Sequence, residues 1–105
     1  MNPQTATRLE TRQGAAWITL NRPENRNALS AALVNELYHH LQVANADDAV
    51  RCIVITGSGT AFCAGADLAE FDFAPGPGLV ERANPGPIIE QAFNPTVRRL
   101  MALRV

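Results

Sequence analysis

Ile53-Val-Ile-Thr-Gly-Ser-Gly-Thr-Ala-Phe-Cys-Ala-Gly-Ala-Asp-Leu68 decides the fold, because it joins an apolar strand to a loop of small residues and then to a carboxylate. Cys52, Ile53, Val54 and Ile55 form an unbroken apolar run rich in β-branched side chains, the pattern of a strand covered on both faces in a parallel sheet. Gly57 and Gly59 predict its end. Beyond Phe62, Ala64-Gly65-Ala66 carry almost no side chain, so another backbone or a ligand can approach their N–H groups closely. An anion or oxyanion site is built in that way.

Upstream, Arg8-Leu-Glu-Thr-Arg12 and Ala15-Ala-Trp-Ile-Thr-Leu20 flank Gln13-Gly14 and predict a hairpin. Asn21-Arg-Pro-Glu-Asn-Arg-Asn27 is a polar loop, in which Pro23 blocks continuation of an interior strand. Ser30 is a good N-cap, and Leu33, Leu37 and Leu41 recur at four-residue steps beside Val34 and Tyr38. This predicts a helix over about 30–45, then a strand over 50–56. The order β-β-α-β gives an α/β class in which a crossover helix covers one sheet face. The Ala64-Gly65-Ala66-Asp67 loop leaves the carboxyl end of the strand, where open α/β sheets bind ligands. Downstream, residues 72–87 are rich in proline and glycine and read as a long mobile loop. Residues 88–104 read as a final helix, with a kink or break at Pro95.

The 105 residues suffice for one small domain at most, burying roughly 60–65% of the unfolded surface. With 47% apolar residues, 18% charged and a net charge of −1, the chain has no electrostatic reason to bind nucleic acid or an anionic membrane. No run approaches a membrane span. The first seven residues lack the apolar core of a secretory signal, and Pro95 spoils Asn94-Pro-Thr96 as a glycosylation sequon, so the default address is cytoplasmic. Cys52 and Cys63 then read as free buried thiols. His39 and His40 point about 100° apart on the predicted helix and share no face for a metal, so no metal site is expected. Gly57-Ser-Gly-Thr-Ala-Phe62 has phenylalanine at the third glycine position of a dinucleotide fingerprint, and no phosphate-loop lysine follows.

Three ordered segments, Asn21-Arg22-Pro23, Asn27-Ala28-Leu29 and Gly65-Ala66-Asp67, closely resemble the first half of the crotonase superfamily, the enoyl-CoA hydratases and isomerases. The resemblance runs over nearly the whole chain and implies the N-terminal part of a crotonase-like ββα spiral. It implies that the Ala66 N–H is one of two donors holding a thioester oxygen as it gains charge on the way to an enolate. It also implies that Arg26, Ala28, Leu29, Ala64, Gly65 and Leu68 lie along the acyl-CoA, coenzyme A being part of the substrate and no separate cofactor being needed. Arg26 could equally be a solvated loop charge, and the small-residue loop could simply end a strand. Asp67 reads first as a loop-ordering carboxylate that accepts backbone hydrogen bonds or caps the next turn, rather than as a general base.

In the resembled family the second oxyanion donor and the acid/base carboxylates come later than the residues present here. Domains of that family are about twice this length or more and assemble as trimers or hexamers. The expectation is therefore an incomplete portion of one such domain, inactive alone. Within the family, Val50-Arg-Cys-Ile-Val-Ile-Thr-Gly57, Phe62-Cys-Ala-Gly65 and Asn94-Pro-Thr-Val-Arg-Arg-Leu100 look most like the branch that isomerises ring-epoxidised phenylacetyl-CoA. The rivals are a nucleotide-binding α/β module built on the Gly57–Gly59 loop and a non-catalytic interaction fragment.

Overall fold

The computed structural model describes residues 5–105; the sequence reading of the first four residues lies outside them. Strands β1 (Thr7–Arg12) and β2 (Ala15–Leu20) form the hairpin, turning through Gln13 and Gly14. Helix α1 (Ala31–Ala46) follows, then strand β3 (Cys52–Gly57). The sheet order is β1-β2-β3, with β1 antiparallel to β2 and β2 parallel to β3. Helix α1 is the crossover that a parallel pair requires. Its start follows from Ser30, whose hydroxyl accepts from the Leu33 N–H at 3.1 Å.

The four-residue leucine spacing works as the helical period demands. Leu33, Val34, Leu37, Leu41 and Ala44 are the buried face of α1. Against it the sheet turns Ala16, Ile18 and Leu20, the alternate residues of β2, with Ile53 and Ile55 of β3. Ile18, Leu33 and Leu41 are completely buried.

The other face of the sheet is uncovered among the described residues, which corrects the reading of β3 as buried on both sides. No β3 residue is buried, and Cys52 is exposed rather than a buried thiol, while Cys63 is half-buried. The apolar run could not reveal this, because a strand's own sequence does not say whether a second layer is present.

Residues 72–87 contain more regular structure than their prolines and glycines predict. Helix α2 (Leu79–Arg82) is a single turn inside them, and Arg82 pairs with Asp72 at 2.8 Å across its base. Helix α3 (Gly86–Ile88) then runs through a widened turn, Ile89–Phe93, into α4 (Asn94–Met101). The irregularity expected at Pro95 is this widened turn. Pro95 has no N–H to give the Gln91 carbonyl, and the Asn94 N–H reaches back five residues to the Ile89 oxygen. Helix α4 packs on α1, where the Arg99 guanidinium lies 5.4 Å from the Tyr38 ring centroid. After it, Arg104 ties down the end of α1. Its Nε donates to the Asn45 oxygen at 2.8 Å and its Nη2 to the oxygens of Asp47 and Val50.

Candidate active site

Parallel pairing of β2 and β3 puts Leu20 opposite Gly57, so the loops that leave these strands begin side by side at one edge of the sheet. Ser58 fastens them at the root: its N–H and hydroxyl both donate to the Leu20 oxygen, at 2.9 and 3.1 Å. The second fastening is Asn27, which is completely buried with φ +56°, a conformation asparagine tolerates better than most residues. Its Oδ1 accepts from the Arg22 N–H at 2.7 Å, and its Nδ2 donates to the oxygens of Ser58 and Ala61 at 3.0 and 2.9 Å. Gly57 makes room for this amide, since a Cβ there would lie 2.8 Å from Nδ2 and 2.6 Å from the Phe62 oxygen. The loop after β3 thus turns carbonyl groups toward Asn27. A phosphate cradle would need converging N–H groups instead.

Further out, the two loops run parallel. The Ala64 N–H donates to the Arg26 oxygen at 3.0 Å, Leu29 N–H to the Gly65 oxygen at 2.6 Å, and Asp67 N–H to the Leu29 oxygen at 3.0 Å. Leu29 and Ala66 are therefore bridge partners, with the bonds made by the residues on either side of Ala66. The Ala66 N–H faces away from this pairing and has no hydrogen-bond partner among the described residues. Gly65 reaches its place with φ +105°, and a Cβ built on it would meet open space. Glycine is required there by the backbone conformation, and the ground in front of it is clear.

Asp67 orders the loop. Its Oδ1 accepts from the Ala69 N–H at 3.0 Å, capping a short turn over Leu68–Glu70, and its Oδ2 lies 3.0 Å from Nη2 of Arg22. The backbone bond from Ala69 first, and then the Arg22 guanidinium, hold the Asp67 carboxyl below its ordinary range. Arg22 also donates from Nη1 to the Ala28 oxygen at 2.8 Å, so it clamps both loops at once. Neither Arg22 nor Asn27 is a site residue by sequence reasoning alone. The signal for them was their place in two of the three recurring segments.

Two further carboxylates, Glu70 and Glu36, are also engaged by protein groups. Glu70 accepts from the Ala31 N–H at the start of α1, and Glu36 accepts from the N–H groups of Ala6 and Thr7 and from the Thr7 hydroxyl. Arg26 is exposed, and among the described residues its guanidinium has no partner. Ala28 is buried and has its N–H on the Asn25 oxygen. Ala64, Ala66 and Leu68 are exposed and Leu29 is half-buried. Behind Ala66 and Leu68 lies an open cavity of about 300 Å³, walled otherwise by residues of the Phe71–Phe93 stretch. Among the described residues no three histidines, cysteines or carboxylates group as a metal site.

The sequence profile described as enoyl-CoA hydratase/isomerase matches residues 10–76, which span both loops and strands β2 and β3. The chain belongs to the enoyl-CoA hydratase/isomerase family. It is 38% identical over 94 residues to a 1,2-epoxyphenylacetyl-CoA isomerase of Escherichia coli, a match covering 87% of this chain and 34% of that protein. A Rhodobacter capsulatus protein described as a probable enoyl-CoA hydratase is 40% identical over 93 residues, covering 89% and 33%. The solved structure of a Pseudomonas aeruginosa protein superposes with a TM-score of 0.78 at 37% identity, covering 98% of this chain and 42% of that one. The fold is thus the N-terminal part of the crotonase fold, and the chain spans about a third of the length of the curated relatives it matches. The parallel-loop edge lies within the matched residues.

Proposed function

We propose that the chain binds an acyl-CoA thioester and that the Ala66 N–H donates to the thioester oxygen as that oxygen becomes an enolate. The observation that carries this reading is the unpaired Ala66 N–H on a loop fixed by hydrogen bonds on both sides of it. A donor held still before the reaction needs no reorganisation when charge develops, and one such donor is worth roughly 2.7–4 kcal/mol in the transition state. Arg26, exposed and without a partner among the described residues, is the group for the phosphates of coenzyme A, to which its planar fork is suited. Ala28, Leu29, Ala64, Gly65 and Leu68 form the groove along the thioester, and Asp67 keeps the loop in shape. Coenzyme A belongs to the substrate, and no further cofactor enters.

The whole protein's reaction is hydration of, or double-bond movement in, the acyl chain, carried out in a homotrimer or hexamer in the cytoplasm. Similarity to the epoxyphenylacetyl-CoA isomerase favours the branch acting on ring-derived acyl groups. Asp67, Glu70 and Glu36 are already engaged by protein groups, which supports placing the proton-transfer residues elsewhere.

Calorimetric titration with acetoacetyl-CoA and with free coenzyme A tests the reading, using wild type and Ala66→Pro. The proline removes the N–H, and the bridging bonds do not use it. The expected result is a roughly tenfold weaker thioester, in line with one net hydrogen bond, with free coenzyme A unchanged. Equal thioester affinity in both proteins rejects the Ala66 assignment.

A further inference from the structure

We infer that the outer edge of β1 docks a second copy of this chain, strand against strand in antiparallel register about Leu9, so that two three-stranded sheets join edge to edge. This does not depend on the thioester reading, since β1 lies at the opposite edge of the sheet from β3, whose following loop carries Ala66. The hairpin decides which backbone groups of β1 are free. Gln13 and Gly14, both at positive φ, make a two-residue turn between Arg12 and Ala15, and at the far end the Asn21 N–H donates to the Ala6 oxygen at 2.8 Å. Bonded and non-bonded pairs alternate in an antiparallel ladder. Ala6, Arg8, Glu10 and Arg12 therefore bond toward β2, while Thr7, Leu9 and Thr11 turn their N–H and C=O groups outward. Glu36 takes the Thr7 N–H at 2.9 Å. The outward groups of Leu9 and Thr11, and the Thr7 oxygen, have no partner among the described residues.

An open groove of about 800 Å³ lies at this edge, with Leu9, Glu36 and His40 on the α1 side and Arg8, Glu10 and Trp17 on the other. Charge says what fits there. Charged side chains on an edge strand ordinarily keep other strands off. On β1 their signs alternate instead: Arg8, Glu10 and Arg12 share one face and are all exposed. Antiparallel pairing about Leu9 sets Arg8 of each copy directly opposite Glu10 of the other, at a pair without backbone bonds, where side chains come closest. Glu10 already lies 3.4 Å from Arg12 of its own strand, and in this register it stands between two guanidinium groups. Displacing one strand by two residues either way sets Arg8 against Arg8 or Glu10 against Glu10, which is destabilising. The charges thus select both the partner, a copy of the same strand, and the register. In that register each Leu9 N–H donates to the other Leu9 oxygen and each Thr11 N–H to the other Thr7 oxygen, which leaves Glu36 in place. The two Leu9 side chains meet on the α1 side, where each already borders its own core.

Sedimentation equilibrium of the 105-residue chain over a concentration series at low salt tests this, with wild type, Arg8→Glu, Glu10→Arg and the double variant R8E/E10R. Wild type is expected to form a dimer. Each single reversal, at an exposed position, puts like charges opposite each other at two symmetry-related places and should weaken the dimer roughly tenfold. The double variant has the net charge of wild type and restores both pairs, so its affinity should return to the wild-type value. An equimolar mixture of the two single variants should form a mixed dimer as tight as wild type, which also shows that both are folded. A chain that is monomeric at every concentration overturns the proposal. Association that both single reversals leave unchanged overturns it too, because it then runs through β3 or the exposed apolar side chains. A double variant as weak as the single ones overturns it as well, since Arg8 and Glu10 then do not face each other.

Discussion

Asn27 holds more of the site than any residue that would touch a ligand. Its amide satisfies one N–H and two carbonyls of the two loops from a fully buried position. Asn27→Ala leaves these groups without partners, so a loss of roughly 2–4 kcal/mol is expected in urea unfolding. Asp67 adds a pH dependence. Its folded value lies below the ordinary 3.8, because the Ala69 N–H and Arg22 favour the carboxylate. The stability it contributes is therefore complete above the unfolded value and is lost as pH falls through the folded one. Wild type should lose stability as pH drops below about 4, and Asp67→Asn should flatten that part of the profile; an unchanged slope would show that the Arg22 pair does not matter. The loop-ordering role of Asp67 was legible from a short carboxylate after two small residues. Its partner was not, because Arg22 is 45 residues away and nothing local marks which of the nearby arginines reaches back.

Elements were legible where a period repeats and obscure where coverage depends on another layer. The leucine spacing of α1 and the N-cap at Ser30 place the helix within a residue of where it lies. Leu41→Ala, at a completely buried position, should cost about 2–5 kcal/mol in the same unfolding measurement. Pro95 foretold an irregularity; its form is a wide turn rather than a break, and Ala92 and Thr96 on either side of the proline both pack against α1. The seating of β1 was not legible at all. The Glu36 carboxylate, on α1, accepts the N–H groups of Ala6 and Thr7 and the Thr7 hydroxyl, the first two at 3.1 and 2.9 Å. Glu36→Ala should raise amide exchange at Ala6 and Thr7 by an order of magnitude or more while leaving β3 unaffected. Exchange rising equally in β3 would mean that the sheet opens as one unit and that Glu36 is not a local clamp.

At the scale of the molecule, the chain is longer and more open than a compact domain. Its radius of gyration is 15.4 Å, against roughly 13 Å for about 100 residues packed compactly. Val80 and Met101 are 80% and 84% exposed, and β3 is an unpaired edge among the described residues. Concentration-dependent association should therefore appear in light scattering, and a strictly monomeric chain at high concentration would contradict it. Chemistry is a separate matter from binding. Proton transfer at carbon needs a carboxylate within about 3 Å of the substrate, and Asp67, Glu70 and Glu36 are each bonded to protein. No turnover of crotonyl-CoA or 3-enoyl-CoA by these 105 residues is expected, and turnover matching that of a longer family member would redirect attention to Glu70. The central claim is narrower: one N–H, on Ala66, meets the thioester oxygen. Isotope-edited infrared spectroscopy of a carbonyl-labelled acyl-CoA reads that contact directly. The account predicts a bound carbonyl band displaced to lower frequency in wild type and returned toward the free value in Ala66→Pro; a bound band at the free position, or one displaced equally in both proteins, would contradict it.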